Sequence, residues 1–291
     1  AEAASGRQVD DLTSDPSPVR FANRRGVGKS KHEAPPMTSG TTLDAFHRGN
    51  FWLVQPAKGG HRAGMDAMML AAAVPAGFAG RLADFGAGAG AAGLAVASRC
   101  PSSQVVLVER SPEMAAFARQ TLAHPANSHL AGRVDLLEAD VTLTGKARAA
   151  AGLGDGTFDF AIMNPPFNVK ADRATPDILK RSAHVMDDGL FESWLRSAAA
   201  VVKPRGGLAI IARPVSLAPL LAALEGRFGG AEIVPVHPRA DQKAIRIIVR
   251  AVRGSRASLT LSPPLVLHDE GDRFSARADA INNGRASLFG D

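Results

Sequence analysis

Four consecutive residues near the middle of the chain have the properties needed to hold a planar amino group. They are Asn164, Pro165, Pro166 and Phe167. The side-chain oxygen of Asn164 and the carbonyl of Pro165 can both accept hydrogen bonds from an NH2 group, and the prolines fix the backbone. Phe167 offers a flat face on which a planar target can stack. We predict a catalytic site that methylates an exocyclic or amide nitrogen; a plain Pro-Pro turn capped by asparagine is the alternative.

A glycine-rich turn lies upstream, where a predicted strand meets a predicted helix. It contains Asp84, followed by glycines at alternate positions, Gly86, Gly88 and Gly90. Glycines there let the backbone approach a ligand closely, and the N-terminus of the following helix offers unpaired amides. Glu109 ends the next predicted strand, where a carboxylate can accept hydrogen bonds from both hydroxyls of a ribose. Together, these features predict a cofactor that contains a nucleoside.

Two cofactors are compatible with this turn. Gly88, Gly90 and Gly93 also satisfy the glycine fingerprint of dinucleotide-binding proteins. S-adenosylmethionine is favoured because the Asp84 carboxylate suits its cationic methionyl end and is poorly suited to a pyrophosphate. Asp140 follows the third predicted strand, where a carboxylate can bind the adenine amino group. We therefore predict S-adenosylmethionine; a glycine turn that only packs helix against strand is the remaining alternative.

Strands and helices alternate in the predicted secondary structure that positions these residues. Seven strands are predicted, at 81–85, 104–109, 134–139, 158–163, 208–212, 232–236 and 245–252. Helices are predicted at 66–74, 91–98, 190–202 and 217–228. Another helix starts at Ser111, an N-cap residue followed by proline, and a short helix at 43–46 and a strand at 51–55 come first. This alternation predicts an α/β fold with a doubly wound, mostly parallel, seven-stranded sheet.

Composition limits the classes of protein to which the chain can belong. Of its 291 residues, 45% are apolar and 21% are charged, which excludes global disorder. The formal net charge of +6 favours an anionic partner without naming one. The single cysteine excludes a disulfide framework and a Cys-cluster zinc site, and the histidines lack ligand-like spacing, so no metal is expected.

The first part of the chain differs from the rest. Residues 1–40 are polar and rich in proline, glycine, serine and charge, and we expect a disordered extension there. Residues 41–291 contain the predicted strands and helices and are expected to form one domain. We find neither the layout of a signal peptide nor an apolar stretch long enough to span a bilayer. These features predict a cytoplasmic protein without a membrane partner.

These motifs together resemble the class I S-adenosylmethionine-dependent methyltransferases of the small methyltransferase domain type. Within that class, the chain is similar to the bacterial enzymes that methylate adenine N6 beside the anticodon of a valine tRNA. The general motifs are 84–90, Glu109, Asp140 and 164–167. The more specific matches are Gln55, Gly60-His61-Arg62, Asp66, the pattern Ala244-x-Arg246-x-x-Val249 and 263–268.

The resemblance implies roles for residues outside the general motifs. Gln55, Arg62 and Asp66 would belong to a short N-terminal lid that covers the cofactor, and Asn164 would contact both cofactor and acceptor. An ordinary surface pair between Arg62 and Asp66, four residues apart, is an equally good interpretation.

The resemblance also implies tRNA as the partner. Phe167, Lys170, Arg173 and Arg246 form the predicted acceptor site, in which the three basic residues would contact phosphates. A solvated basic face is nearly as good an interpretation. Two other acceptors suit the same Asn-Pro-Pro chemistry, the side-chain amide of a protein glutamine and N2 of an rRNA guanine. A nicotinamide enzyme or a catalytically silent module is less compatible with an intact 164–167 motif.

Overall fold

The computed structural model describes residues 40–57, 63–166 and 178–291, and the side chains from residue 189 onward in the last of these ranges. Residues 1–39 of the predicted disordered extension lie outside the described residues. So do four predicted site residues, Arg62, Phe167, Lys170 and Arg173. Their roles therefore stay predictions.

The described residues form an alternating series of strands and helices. The strands are β1 (Thr41–Phe46), β2 (Phe51–Pro56), β3 (Arg81–Phe85), β4 (Gln104–Glu109), β5 (Val134–Glu138), β6 (Phe158–Met163), β7 (Val202–Ala212), β8 (Phe228–His237), β9 (Arg246–Arg253), β10 (Thr260–Leu261) and β11 (Leu265–Val266). The helices are α1 (Met65–Ala72), α2 (Ala91–Arg99), α3 (Pro112–Ala123), α4 (Gly145–Ala150), α5 (Ile178–Val201), α6 (Leu217–Leu224) and α7 (Ala276–Asn282).

The central sheet has the strand order β10-β8-β9-β7-β6-β3-β4-β5, and β11 also pairs with β8. The strands from β7 through β6, β3 and β4 to β5 are parallel, and β9 runs antiparallel to both β7 and β8. All seven predicted strands are present, and the doubly wound α/β fold is confirmed. The sheet gains two further strands because two dipeptides, β10 and β11, pair with the edge strand β8.

The sheet separates two apolar cores, because successive side chains of a strand point to opposite faces. Leu107 of β4 packs with residues of α1, α2 and α7. Its neighbour Val108 packs on the other face with residues of α5 and α6. Phe85 and Met163, the last residues of the adjacent strands β3 and β6, are paired in register. The segments that follow these two strands therefore start side by side at the carboxyl edge of the sheet.

The predicted helix at 43–46 is wrong, because these residues belong to β1. They pair antiparallel with β2, from Thr41 opposite Pro56 to Phe46 opposite Phe51. The resulting hairpin packs along α3, where the amide of Val54 donates to Thr121 Oγ1 at 2.9 Å. Residues 58–62, which follow the hairpin and include the predicted lid residue Arg62, lie outside the described residues.

Other boundaries differ where a local pattern is ambiguous. Helix α5 begins at Ile178, twelve residues before the predicted start. Helix α6 ends at Leu224 because Glu225 leaves the helical region and Gly226 has a φ of +73°. Phe228, predicted as the end of that helix, instead begins β8. None of the described helices has the length and apolar content needed to cross a membrane.

Candidate active site

The glycine turn joins β3 to α2 and has a backbone that favours glycine. The φ angle is +69° at Gly86, +58° at Gly88 and +97° at Gly90, all in the left-handed region. The amides of Gly86 and Ala87 donate to the carbonyl of Val108 at 2.8 and 3.1 Å. The turn is therefore held against the end of β4, the strand that ends in Glu109.

Glu109 is bonded to the turn through its carboxylate. Its Oε2 accepts a hydrogen bond from the amide of Gly88 at 2.8 Å, and its Oε1 accepts one from the amide of Ser111 at 2.7 Å. The residue is only 8% exposed. Two charge-assisted bonds to backbone amides fix the carboxylate beside the turn, at the place where the sequence predicts a ribose.

Asp84 is more enclosed than the sequence suggests. Its Oδ2 accepts a hydrogen bond from the amide of Gly93, in the first turn of α2, at 2.8 Å, and the residue is 2% exposed. Burial raises the pKa of Asp84 to about 7; the Gly93 amide lowers it, and the charge of Glu109 raises it further. The observed partner of this carboxylate is thus a helix N-terminus, so its predicted contact with the methionyl end of the cofactor stays a prediction.

Asp140 follows β5, as predicted, and is partly open to solvent. Its Oδ1 accepts hydrogen bonds from the amide and hydroxyl of Thr142 at 2.8 and 2.7 Å, and its Oδ2 lies 3.4 Å from Arg110. Burial alone would raise the pKa of Asp140, but the bonds from Thr142 and the charge of Arg110 outweigh it and lower the pKa. The group is therefore an anion that can accept a hydrogen bond.

The Asn-Pro-Pro segment begins immediately after β6. Since Met163 pairs with Phe85, Asn164 and Gly86 follow adjacent strands at the same level. Asn164 is half-buried, Pro165 is buried and Pro166 is exposed. Within the described part of the chain, no hydrogen bond engages the side chain of Asn164. In contrast, the carboxylates of Glu109 and Asp84 both accept hydrogen bonds from backbone amides. The structure thus brings the predicted catalytic asparagine next to the predicted cofactor turn.

Trp194 is a residue to which the sequence assigned no role. A Cβ atom at Gly86 would lie 2.6 Å from its indole ring, well inside van der Waals contact. At Gly88, a Cβ atom would come no closer than 3.6 Å, to the flexible end of Met114. Trp194 belongs to α5 and is 7% exposed. Helix α5 thus contacts the glycine turn directly, a long-range approach that no local pattern could indicate.

The predicted lid and acceptor residues form different contacts. Asp66 pairs with Arg246, whose Nε lies 2.9 Å from its Oδ2. Gln55 is buried, and its Oε1 accepts a hydrogen bond from the amide of Ala63 at 2.7 Å while its Nε2 donates to Asp44 at 2.9 Å. The sequence placed Asp66 with the cofactor and Arg246 with the acceptor; the structure joins them to each other.

A comparison with protein-family models identifies the family of this chain. Residues 62–239, more than half of the chain, match the model of the methyltransferase small domain. The chain belongs to the methyltransferase small domain family. It is an S-adenosylmethionine-dependent methyltransferase domain, which confirms the predicted class and cofactor and removes the dinucleotide alternative.

The solved and curated relatives are all named methyltransferases and differ in acceptor. A crystal structure of a predicted O-methyltransferase from Agrobacterium tumefaciens is 46% identical, with a TM-score of 0.68 over 77% of this chain and 98% of that one. A release factor glutamine methyltransferase of Deinococcus radiodurans is 31% identical over 53% of each chain. A ribosomal RNA small subunit methyltransferase C of Pseudomonas fluorescens is 37% identical over 45% of this chain and 38% of that one. A tRNA1(Val) (adenine(37)-N6)-methyltransferase of Porphyromonas gingivalis is 29% identical over 52% of this chain and 58% of that one.

The chain thus spans between 38% and 58% of the length of these three curated relatives. Their named acceptors are a protein and two kinds of RNA. The family membership therefore leaves the acceptor of this chain open.

Proposed function

We propose that this methyltransferase modifies the exocyclic N6 amine of an adenine in a tRNA anticodon loop. The observation that carries the proposal is the position of Asn164. It follows β6 beside the glycine turn, and its side chain is not hydrogen-bonded to any described residue. A half-buried side-chain amide without such a hydrogen bond can accept hydrogen bonds from the donors of a ligand.

The proposal assigns cofactor contacts to residues whose geometry fits them. The turn from Gly86 to Gly90 would lie against S-adenosylmethionine, Glu109 would accept hydrogen bonds from its ribose hydroxyls, and Asp140 would accept one from its adenine. The fit rests on the fixed Glu109 carboxylate beside the left-handed turn and on the ionised, partly exposed Asp140. Bound there, the cofactor supplies a methyl group activated by a positively charged sulfur.

The remaining chemistry depends on how the acceptor nitrogen is held. The Asn164 side-chain oxygen and the Pro165 carbonyl accept hydrogen bonds from the target NH2, which orients the nitrogen and favours its tetrahedral, nucleophilic form. These bonds strengthen as positive charge develops on the nitrogen, so they stabilise the transition state more than the ground state. No base is required before the transfer, because the proton of the product can leave to solvent afterwards.

A chemical argument favours an amine as the acceptor, and the charge of the chain favours RNA. A hydroxyl acceptor has to lose its proton to become a good nucleophile, whereas an amine held by two acceptor oxygens does not. The net charge of +6 suits a polyanionic partner, and a base in a loop is already partly unstacked, so its extrusion costs little. The relative that acts on adenine 37 of a tRNA supports the same choice.

A direct comparison of acceptors tests the proposal. The purified chain is incubated with labelled S-adenosylmethionine and, separately, an unmodified anticodon stem-loop, unmodified ribosomal RNA and a glutamine-containing release-factor peptide. We expect methylation of the stem-loop and N6-methyladenosine in its nucleoside digest. A stem-loop with inosine in place of the target adenosine serves as the control, because inosine lacks the amine. Methylation of the peptide alone would overturn the proposed acceptor and leave the family assignment intact.

A further inference from the structure

A polar cleft opens at the edge of the sheet opposite the glycine turn. Its volume is about 480 Å³, and it lies between the β1–β2 turn, the last turn of α2 and the residues after α7. Ser98, near the end of α2, forms part of its wall. Since α2 starts directly after the glycine turn and has nine residues, the cleft is about 13 Å from that turn, at 1.5 Å per residue. It is therefore separate from the candidate active site.

The charge around this cleft is positive. Arg48 and Arg285 line it, with 63% and 53% of their side chains exposed. Both pair with the carboxylate of Asp279, so the group of three carries a net charge of +1. His47 adds no charge near neutral pH, because burial, assisted by the charge of Arg99, lowers its pKa to about 4. Two guanidinium groups around one cleft match the donor geometry that phosphate oxygens accept.

Uncharged polar groups line the same cleft. Asn50 Nδ2 and His47 Nδ1 lie 2.5 and 3.2 Å from Ser98 Oγ, so the hydroxyl is held between the hairpin and α2. His47 is 8% exposed, and its Nε2 is buried with no hydrogen-bond partner among the described residues. A buried polar atom of this kind calls for an explanation, such as a bound group or water nearby.

The backbone of the cleft is held in a costly conformation. His47 and Arg48 have φ angles of +47° and +57°, and two consecutive left-handed residues other than glycine cost about 1–2 kcal/mol each. Gly284, on the facing wall, approaches so closely that a Cβ atom there would lie 2.6 Å from the His47 ring. Residues other than glycine stay in the left-handed region only where the surrounding structure fixes them, and such residues cluster at functional sites.

We propose that this cleft binds a phosphate group, held by Arg48 and Arg285. The proposed function offers one source, because an RNA acceptor carries a phosphate at every nucleotide. This source of the phosphate group rests on the proposed function, whereas the phosphate site itself does not. A free phosphate group has the same chemistry, so the two sources are distinguished by experiment.

The first measurement tests the site without RNA. Inorganic phosphate is added to the full chain, and the melting temperature is compared with that in chloride at equal ionic strength. We expect phosphate to raise the melting temperature of the wild type and to lose this effect in the Arg48→Gln/Arg285→Gln double variant. Arg119 and Arg196 provide a matched control, because each is 52% exposed and paired with one carboxylate, Glu138 of β5 and Glu192 of α5 respectively. The Arg119→Gln/Arg196→Gln variant removes the same charge and should respond like the wild type.

The second measurement tests the RNA source. The affinity for an unmodified anticodon stem-loop is measured against salt concentration by fluorescence anisotropy. Loss of this one phosphate contact should make the log–log slope shallower by about one unit and weaken binding about 10-fold at 0.15 M salt, whereas the control pair should leave the slope unchanged. Asp279→Asn removes the competing carboxylate and should strengthen binding. Circular dichroism verifies that each variant is folded.

The outcomes separate the two proposals. A phosphate response and a shallower RNA slope, both lost only in the cleft variant, support the site and its RNA source. A phosphate response with no RNA effect supports the site with a free phosphate group as its ligand, whatever the methyl acceptor proves to be. If the cleft and control variants match the wild type in both measurements, the cleft is not a phosphate site.

Discussion

The proposed cofactor side and the proposed acceptor side of the candidate active site differ in how their polar groups are bonded. On the cofactor side, Glu109 and Asp84 accept hydrogen bonds from amides of the glycine turn and of α2. On the acceptor side, Asn164 has no such partner within the described residues. The two sides nevertheless meet at one register position of adjacent strands.

This difference indicates that the two sides are prepared in different ways. On the proposed cofactor side, local hydrogen bonds already fix the Glu109 carboxylate and the glycine turn, so binding there should require little ordering. On the proposed acceptor side, the side chain of Asn164 has no hydrogen-bond partner among the described residues, so in the proposed function the acceptor supplies the donors. Substitutions on the first side should therefore change affinity, and those on the second side should change rate.

The largest effect is expected at Asn164. Asn164→Ala should lower the single-turnover methyl-transfer rate by about 100-fold, the scale of losing one oriented polar group that stabilises developing charge. The affinity for S-adenosylmethionine, measured by calorimetry, should change little. Asn164→Asp keeps an acceptor oxygen and should lose less activity than the alanine variant. Near-normal turnover in Asn164→Ala would mean that 164–167 is not the catalytic centre.

The next effect concerns the fixed carboxylate. Glu109→Ala should weaken cofactor binding by about 1–3 kcal/mol, because charge-assisted hydrogen bonds are lost and the Gly88 amide is released. Glu138 is the register partner of Glu109 on β5 and is 45% exposed, so Glu138→Ala is a matched control. Calorimetric titration with the demethylated cofactor product compares the two variants. Equal affinities would place the ribose elsewhere.

The contact between α5 and the glycine turn allows a paired test. Gly86→Ala and Gly88→Ala should both cost about 1–2 kcal/mol from left-handed strain. Only the first adds a clash with Trp194, so its cofactor affinity should fall further. Trp194→Phe should recover part of that loss in the Gly86→Ala background and none in the Gly88→Ala background. A recovery of the same size in both would show that the ring acts through general stability.

The smallest effect is a change in pH dependence. Asp84 has a pKa of about 7 in the folded chain against an ordinary value of 3.8, so the unfolded chain carries fewer protons between these limits. Its contribution to the free energy of unfolding therefore decreases as the pH rises from about 4 to 7. His47, with its pKa lowered to about 4, acts in the opposite direction. The measurement is therefore the difference in the free energy of unfolding between wild type and Asp84→Asn, obtained by urea denaturation at each pH.

The free energy of unfolding of Asp84→Asn, relative to that of the wild type, should increase as the pH rises from about 4 to 7 and then stay constant. A difference that does not vary with pH would show that the Asp84 carboxyl keeps its ordinary pKa in the folded chain.

The sequence was most informative where chemistry and local structure coincide. The predicted bounds of β3, β4 and β6 agree with the structure to the residue, because apolar parallel strands end at glycine, acidic or proline signals. The glycine turn, Glu109 and Asn164 were located by the same signals. These features depend on residues close together in the chain, where patterns of residue type are reliable.

Features that depend on distant partners could not be read in this way. β1 is a strand because β2 pairs with it, and Asp66 lies against Arg246, 180 positions later in the chain. Trp194 contacts Gly86 only because the sheet brings α5 over the turn. Helix α7 was not predicted at all; Ala278 and Ile281 are its buried residues, too few for a clear helical period.

The pairing of β6 with β3 has a consequence for how this active site can change. In the proposed site, acceptor and methyl donor are held by separate segments, and the spacing of these segments along the strand direction is set by the register between Phe85 and Met163. One residue inserted into β6 would shift Asn164 by about 3.3 Å and turn its side chain to the other face of the sheet. The proposed reaction therefore requires a fixed length of β6 up to Asn164.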